Sequence, residues 1–254
     1  MRLTLLGTGD SAGVPQVGCS CPTCERHTEE GRERTRFSLL VENEGKTLLI
    51  DASPDLRTQL LRENVDTLDG VVLTHGHYDH YSGLGNLYRT LGEVEVYGAP
   101  NVLDYVLDDK YSYLRIFERH DVEPFEEFEF AGLKVRLVPV HHPPLETYGV
   151  VVTDPDSGAK LSITGDTSRE IPEDSLEAME SPDLVVADAF ASTDVIDRKI
   201  SDDGYSFADK HMTYEGALDL ADEIDADETA LVHLSHFFRH ERDAMGEDGD
   251  TYVL

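Results

Sequence analysis

The chain has 254 residues, enough for one large domain or two small ones. It carries 52 Asp and Glu against 21 Lys and Arg, a formal net charge of −31. The acids are spread along the chain and no basic stripe is present to follow a phosphate backbone, so long nucleic acid is not an expected partner. The same excess suits a high-salt cytoplasm, where screening tames self-repulsion.

The N-terminus, MRLTLLGTGDSAG, opens with a short apolar run that breaks at glycine. It is too brief for a signal peptide and reads as the first strand of a cytoplasmic protein. No apolar run approaches the roughly 20 residues of a membrane span. Short β-branched runs follow at Leu3–Leu6, Phe37–Glu42, Thr47–Ile50, Gly70–Thr74, Val94–Tyr97, Lys134–Pro139, Gly149–Thr153, Lys160–Thr164, Leu184–Ala187 and Thr229–Val232. Helical spacing occurs near Asp55–Glu63, Ser82–Leu91, Asn101–Asp108, Ser175–Met179 and Tyr214–Ile224. Strands mixed with helices predict an α/β layered fold in a single domain over 1–254. The acidic, glycine-containing segment from about 240 is expected to be weakly ordered.

Polar residues gather where these strands end. The stretch VVLTHGHYDHYSG delivers His75, His77, Asp79 and His80 directly after an apolar strand. Imidazole and carboxylate are the usual ligands of zinc, manganese and iron. His75 and His77 flank a glycine and can share one ion, while Asp79 and His80 can serve a second. Asp166, in SITGDTS, fits a carboxylate that bridges the two. His142, in VPVHHPP, and His233, in ALVHLSHF, can complete the spheres. Strand alternation sends only one of His141 and His142 inward. Nearer the N-terminus, Cys19, Cys21 and Cys24 lie close together, too few and too clustered for a disulfide framework. With His236 as a fourth soft ligand they would make a closed structural zinc site, carried on an insert at about 18–27.

The run His75-x-His77-x-Asp79-His80 resembles the signature of the metallo-β-lactamase superfamily, and LGTGDSAGVP and TLLIDASPD resemble its opening strands. The resemblance implies a four-layer αββα sandwich, two mixed sheets flanked by helices, with a dinuclear site at one edge. It places His75, His77 and His142 on one Zn2+ or Mn2+ ion, and Asp79, His80 and His233 on the other. Asp166 then lies between them, and Asp51 supports the ligands. The Cys-x-Cys-x2-Cys insert and the late His-x2-His resemble the phosphoribosyl cyclic phosphate phosphodiesterases of phosphonate breakdown. That family implies a catalytic His211, just before a helix that Thr213 caps, acting on the leaving group, with Asp79 in the catalytic centre. The expected substrate is a small cyclic phosphodiester such as phosphoribosyl 1,2-cyclic phosphate, attacked by a metal-bridged hydroxide. A homodimer is the assembly expected from the resemblance. Alternatives are a tRNA 3′-processing nuclease, a thiolesterase or lactonase, and a non-enzymatic carrier.

Overall fold

The computed structural model describes residues 1–88, 92–196 and 204–254. Strands β1 (Arg2–Gly7), β2 (Ser38–Asn43), β3 (Lys46–Ile50), β4 (Gly70–Leu73), β5 (Val94–Gly98) and β6 (Phe117–Asp121) lie side by side in that order. Strands β7 (Glu127–Phe130), β8 (Leu133–His142), β9 (Leu145–Thr153), β10 (Lys160–Ile163), β11 (Leu184–Asp188) and β12 (Glu228–Val232) form a second sheet. Both sheets are mixed: β1–β3 and β7–β10 pair antiparallel, whereas β3–β6 and β10–β12 pair parallel.

The helices are α1 (Pro22–Glu30), α2 (Leu56–Arg62), α3 (Tyr78–Tyr81), α4 (Pro100–Leu103), α5 (Glu173–Met179), α6 (Thr193–Ile196), α7 (Phe207–Lys210) and α8 (Tyr214–Glu223). Period-two burial along β11 shows why the layers stack as they do. Leu184 and Val186 join Leu3, Leu48 and Val71 in the core between the sheets. Val185 and Ala187 point the other way and pack with Met179 of α5 and Ala217 and Leu220 of α8. With α2 and α4 against the first sheet, the result is the expected αββα sandwich.

Three expectations change. The segment from about 240 is not a loose tail: β13 (Thr251–Val253) pairs antiparallel with β1 and closes the edge of the first sheet. Asp248 anchors it, its carboxylate accepting from the backbone and hydroxyl of both Thr8 (2.9 and 2.8 Å) and Thr35 (2.8 and 2.6 Å). Acidic composition suggested solvation, but four donors in one corner give this carboxylate a fixed place. The helix expected over Ser82–Leu91 is instead α3 followed by a 3₁₀ turn at Ser82–Leu87, with residues 89–91 outside the described ones. Gly83 explains the break: a Cβ there would lie 2.0 Å from the Ser53 carbonyl, so the turn packs too closely for a side chain. The helix expected over Asn101–Asp108 is α4 followed by a π-helical segment, Asp104–Lys110.

Candidate metal centre

The polar residues converge because the strand ends do. His75 follows β4, His142 ends β8, Asp166 follows β10, Asp188 ends β11 and His233 follows β12. Strand ends meeting at one rim bring together residues distant in sequence. His142 shares the register parity of Val138 and Val140 and is buried, whereas His141 is turned outward and pairs with Ser168 Oγ at 2.9 Å. Alternation along β8, which runs three residues further than the apolar pattern suggested, therefore settles the inward residue as His142.

Two groups result. His75, His77, His142 and Asp166 form one, and Asp79, His80, Asp166 and His233 form the other. In the first, His77 Nδ1 lies 2.9 Å from His75 Nε2 and 3.1 Å from His142 Nε2. In the second, His80 Nε2 and His233 Nε2 lie 3.2 and 3.3 Å from Asp166 Oδ2, and His80 Nε2 lies 3.4 Å from Asp79 Oδ2. The single atom Asp166 Oδ2 is thus within reach of both groups; it lies 3.9 Å from His75 Nε2 and 4.0 Å from His142 Nε2. Tetrahedral nitrogen and oxygen ligands about 2.05 Å from an ion stand roughly 3.3 Å apart, which is the spacing seen here.

The rings are oriented from behind. Thr74 Oγ1 donates to Asp51 Oδ2 at 2.7 Å and sits 2.9 Å from His75 Nδ1, which donates to it. His80 Nδ1 donates to Asp51 Oδ2 at 2.6 Å, and His142 Nδ1 donates to the Lys210 carbonyl at 2.8 Å. Each bond occupies Nδ1 and leaves Nε2 facing the centre, the arrangement that fixes a ligating tautomer. His80 Nε2 and both His233 ring nitrogens are buried without a hydrogen-bond partner. Orphaned imidazole atoms at 0% and 2% exposure are costly unless something else binds them. Asp51 and His233 hold left-handed backbone at φ 59° and 57°, strain tolerated where geometry is over-determined.

The two halves differ electrostatically. Burial, reinforced by the His80 charge, holds His75 well below its ordinary value. Burial and then His211 push His142 down to about 3. In the other half, burial opposes protonation but the carboxylates outweigh it: Asp166, Asp79 and Asp51 raise His80 well above the usual imidazole range. His233 rises to about 9, with Asp166 and Asp79 overcoming its burial. Burial alone would lift Asp79 and Asp166, yet neighbouring imidazolium charge holds both well below the carboxylate range. This half of the site therefore attracts positive charge, and a divalent cation would take the place of those protons.

His211 stands beside this centre. Its ring stacks on His233 at 4.7 Å, it is 8% exposed, and its Nδ1 donates to Asp188 Oδ2 at 2.8 Å. Thr213 caps α8, its Oγ1 accepting from Gly216 N at 2.8 Å. Burial and the His233 charge lower His211 to about 3, while burial, with Asp166 adding, raises Asp188 well above its ordinary value. The pair thus holds one proton in common. Sequence reading passed over Asp188, though LVVAD shows the same signal as SITGD: an acid directly after a buried strand. It also passed over buried Lys210, whose charge joins burial and His80 in lowering His77 against Asp166 and Asp79.

The cysteines gather apart from this centre. Cys19, Cys21 and Cys24 place Sγ 3.2, 3.5 and 3.6 Å from His236 Nδ1. A tetrahedral zinc with sulfur and nitrogen ligands has such edges of about 3.6 Å, so these four residues fit one closed site. Cys21 caps α1, and the Gln16 amide donates to Cys24 Sγ at 3.3 Å.

Comparison with known proteins places the chain. The model of the beta-lactamase superfamily domain matches residues 46–234. The chain belongs to the metallo-β-lactamase superfamily. A crystal structure described as a new diphosphatase from the PhnP family shares 31% identity with this metallo-β-lactamase-fold chain. It covers 99% of this chain and 97% of its own, with a TM-score of 0.83. Zinc-bound PqqB from Methylobacterium extorquens superposes with a TM-score of 0.85 over 100% of both chains at 23% identity, which bears on the fold alone. An octanoyltransferase of Porphyromonas gingivalis is 35% identical over 248 residues, 93% of this chain and 46% of that protein. Coenzyme PQQ synthesis protein B of Methylobacterium radiotolerans is 33% identical over 162 residues, 55% of this chain and 52% of that protein. The chain thus spans about half the length of these curated relatives. It has the metallo-β-lactamase fold, and its His/Asp clusters fit divalent metal binding. Among the described residues no helix is long and apolar enough to cross a membrane.

Proposed function

We propose that this chain is a metal-dependent phosphodiesterase that opens a small cyclic phosphodiester, such as phosphoribosyl 1,2-cyclic phosphate. The observation that carries the reading is the buried His211–Asp188 pair, stacked against His233 at the edge of the carboxylate-rich cluster. A proton donor held there suits expulsion of a poor alkoxide leaving group. Two divalent ions, zinc or manganese, held by His75, His77, His142, Asp166, Asp79, His80 and His233, would supply Lewis acidity and a water-derived nucleophile at neutral pH. The protein's own work is orientation. Asp51 and Thr74 set the His80 and His75 rings, and the Lys210 carbonyl sets His142. Asp188 holds His211 Nδ1, so that Nε2 delivers the proton to the departing oxygen. Cys19, Cys21, Cys24 and His236 would hold a structural zinc that would tie α1 to the segment carrying His233. The acidic surface favours a small substrate over RNA and a high-salt cytoplasm as the working medium.

The 31% identity to a diphosphatase supports a second reading, cleavage of a diphosphate linkage by the same groups. A panel separates them: a ribose cyclic phosphate, an organic diphosphate, bis-p-nitrophenyl phosphate, a thioester and a precursor tRNA, each in high salt with zinc or manganese. Opening of the cyclic diester with little cleavage of the others is the expected result. Exclusive diphosphate, thioester or RNA cleavage would overturn the reading.

A further inference from the structure

One hydrogen bond, from Nδ1 to Asp188 Oδ2, ties down the His211 ring. Such a bond fixes a direction and not a plane. The imidazole can still swing about it, carrying Nε2 with it, unless its faces are packed. Phe190 supplies that packing. Its ring lies nearly parallel to the imidazole, at 19° with centroids 5.1 Å apart, inside the range of about 4.5–7 Å in which aromatic pairs attract. His233 is nearly parallel as well, at 16° and 4.7 Å, and His142 meets the ring at 61° and 4.8 Å. Those two neighbours belong to the metal-ligand groups. Phe190 has no polar atom to offer the centre.

Phe190 is itself held in place. The chain leaving β11 stays paired to β12, the Ala189 amide donating to the Val232 carbonyl at 2.9 Å. Asp188 and Phe190, two residues apart on that extended chain, both reach the same imidazole. The Phe190 amide then donates to the Met212 carbonyl at 3.0 Å. The Phe190 carbonyl accepts from the Ser235 amide at 3.2 Å and from Ser235 Oγ at 2.6 Å. Its backbone is thus bonded to the neighbour of His211 on one side and to the segment of His233 on the other. Behind the ring stand Phe207, stacked at 4.6 Å and 26°, and Phe237, edge-on at 6.0 Å and 67°. Phe190 is 4% exposed and, with Ala191 and Ile196, forms an apolar cluster separate from the cores on either side of the second sheet. Its packing is therefore local to the imidazole.

We propose that Phe190 is the positioning residue of the proton donor: its ring face fixes the plane of His211, as Asp188 fixes its direction, so that Nε2 stays aimed at the departing oxygen. This rests on the reading of His211 as the donor in a phosphodiesterase. A general acid contributes about 10²- to 10⁴-fold only when it stands within about 2.6–3.2 Å of the atom it protonates. A ring free to swing spends part of its time outside that reach, and the lost rate falls on kcat for poor leaving groups.

Phe190→Leu keeps an apolar side chain and removes the ring, and Phe190→Tyr restores a ring. On a ribose cyclic phosphate, Phe190→Leu should lower kcat at least tenfold with KM within twofold of the wild type. On bis-p-nitrophenyl phosphate, whose leaving group needs no proton, it should lose less than threefold. Phe190→Tyr should recover kcat on the cyclic diester to within about threefold of the wild type. Ring order is read without substrate, by side-chain histidine NMR of the zinc-loaded full chain, with the His211 signals assigned by their loss in His211→Gln. The wild type and Phe190→Tyr should each show one sharp set, and Phe190→Leu a broadened or doubled one. An unchanged spectrum in Phe190→Leu, equal losses on the two substrates, or loss of bound metal would overturn the proposal; the last would make Phe190 part of the frame of His233. If the spectra change as expected yet the wild type turns over no phosphodiester, the ring packing stands and the phosphodiesterase reading falls. If the wild type opens the diester and Phe190→Leu keeps its kcat, the positioning role falls and that reading stands.

Discussion

Asp188→Asn isolates the proton donor from the metal ligands. Asp188 is 1% exposed, and one of its oxygens, Oδ2, accepts both from His211 Nδ1 at 2.8 Å and from the Thr167 amide at 3.0 Å. Asparagine keeps the shape and can still accept from Thr167, but it removes the negative charge beside His211. A hydrogen bond to a charged group contributes about 1.5–3 kcal/mol. Since about 1.4 kcal/mol is tenfold, kcat on a cyclic diester with an alkoxide leaving group should fall roughly 10- to 150-fold. The pair keeps its proton because Asp188 titrates well above an ordinary carboxyl. Without that carboxylate, burial and the His233 and His80 charges go on lowering His211, opposed only by the charges of Asp166 and Asp79. The basic limb of the rate profile should therefore move to lower pH, by about one to two units for the same energy. A p-nitrophenolate leaves without a proton, so the deficit should shrink on bis-p-nitrophenyl phosphate. Rate–pH profiles on both substrates, with metal analysis of the same preparations, make the measurement. Equal losses on both substrates, accompanied by loss of metal, would refute the reasoning. They would make Asp188 a ligand, for it does lie within a group with Asp166, His211 and His233.

His77→Ala and Asp79→Ala should each lower bound metal and depress phosphodiesterase activity at least about a thousandfold, read by metal analysis and kinetics; full activity in metal-free protein would defeat the two-ion reading. Cys21→Ser should remove one zinc per chain and lower the melting temperature while changing kcat only a few-fold, and unchanged zinc content would argue against the site with His236. Asp248→Ala strands the Thr8 and Thr35 amides in a corner where the carboxylate is 7% exposed, so urea unfolding should show a loss of about 2–4 kcal/mol. Asp10 is pushed up to about 7, chiefly by burial, with the Asp79 charge adding and His233 and the Ala12 and Gly13 amides opposing. Its folded form thus holds a proton that the unfolded chain releases near 3.8, so chelated protein should lose stability as pH rises from about 4 through 7. Asp10→Asn should flatten that fall, and an unaltered pH profile would show that Asp10 is not its source.

The β-branched runs bounded by glycine, proline and acid named ten of the thirteen strands found among the described residues, because a buried strand needs a short apolar stretch with a defined end. β6 and β7 escaped notice because they are short edge strands: β6 (FERHD) is almost wholly polar, and β7 (EFEF) alternates over only four residues. β13 escaped for a different reason: three residues in an acidic tail become a strand only where β1 offers an open edge and Asp248 a set of donors. At the site, local sequence supplied the residue types. His75, His77, Asp79 and His80 are dense enough to be read directly, and the cysteines likewise. Which of His141 and His142 turns inward needed the length of β8. Asp188 looked like any acid after a strand until β11 was seen to end against His211. Sequence alone determines which side chains can bind a cation or take a proton. Only the packing of two twisted sheets, rim to rim, decides which of them meet.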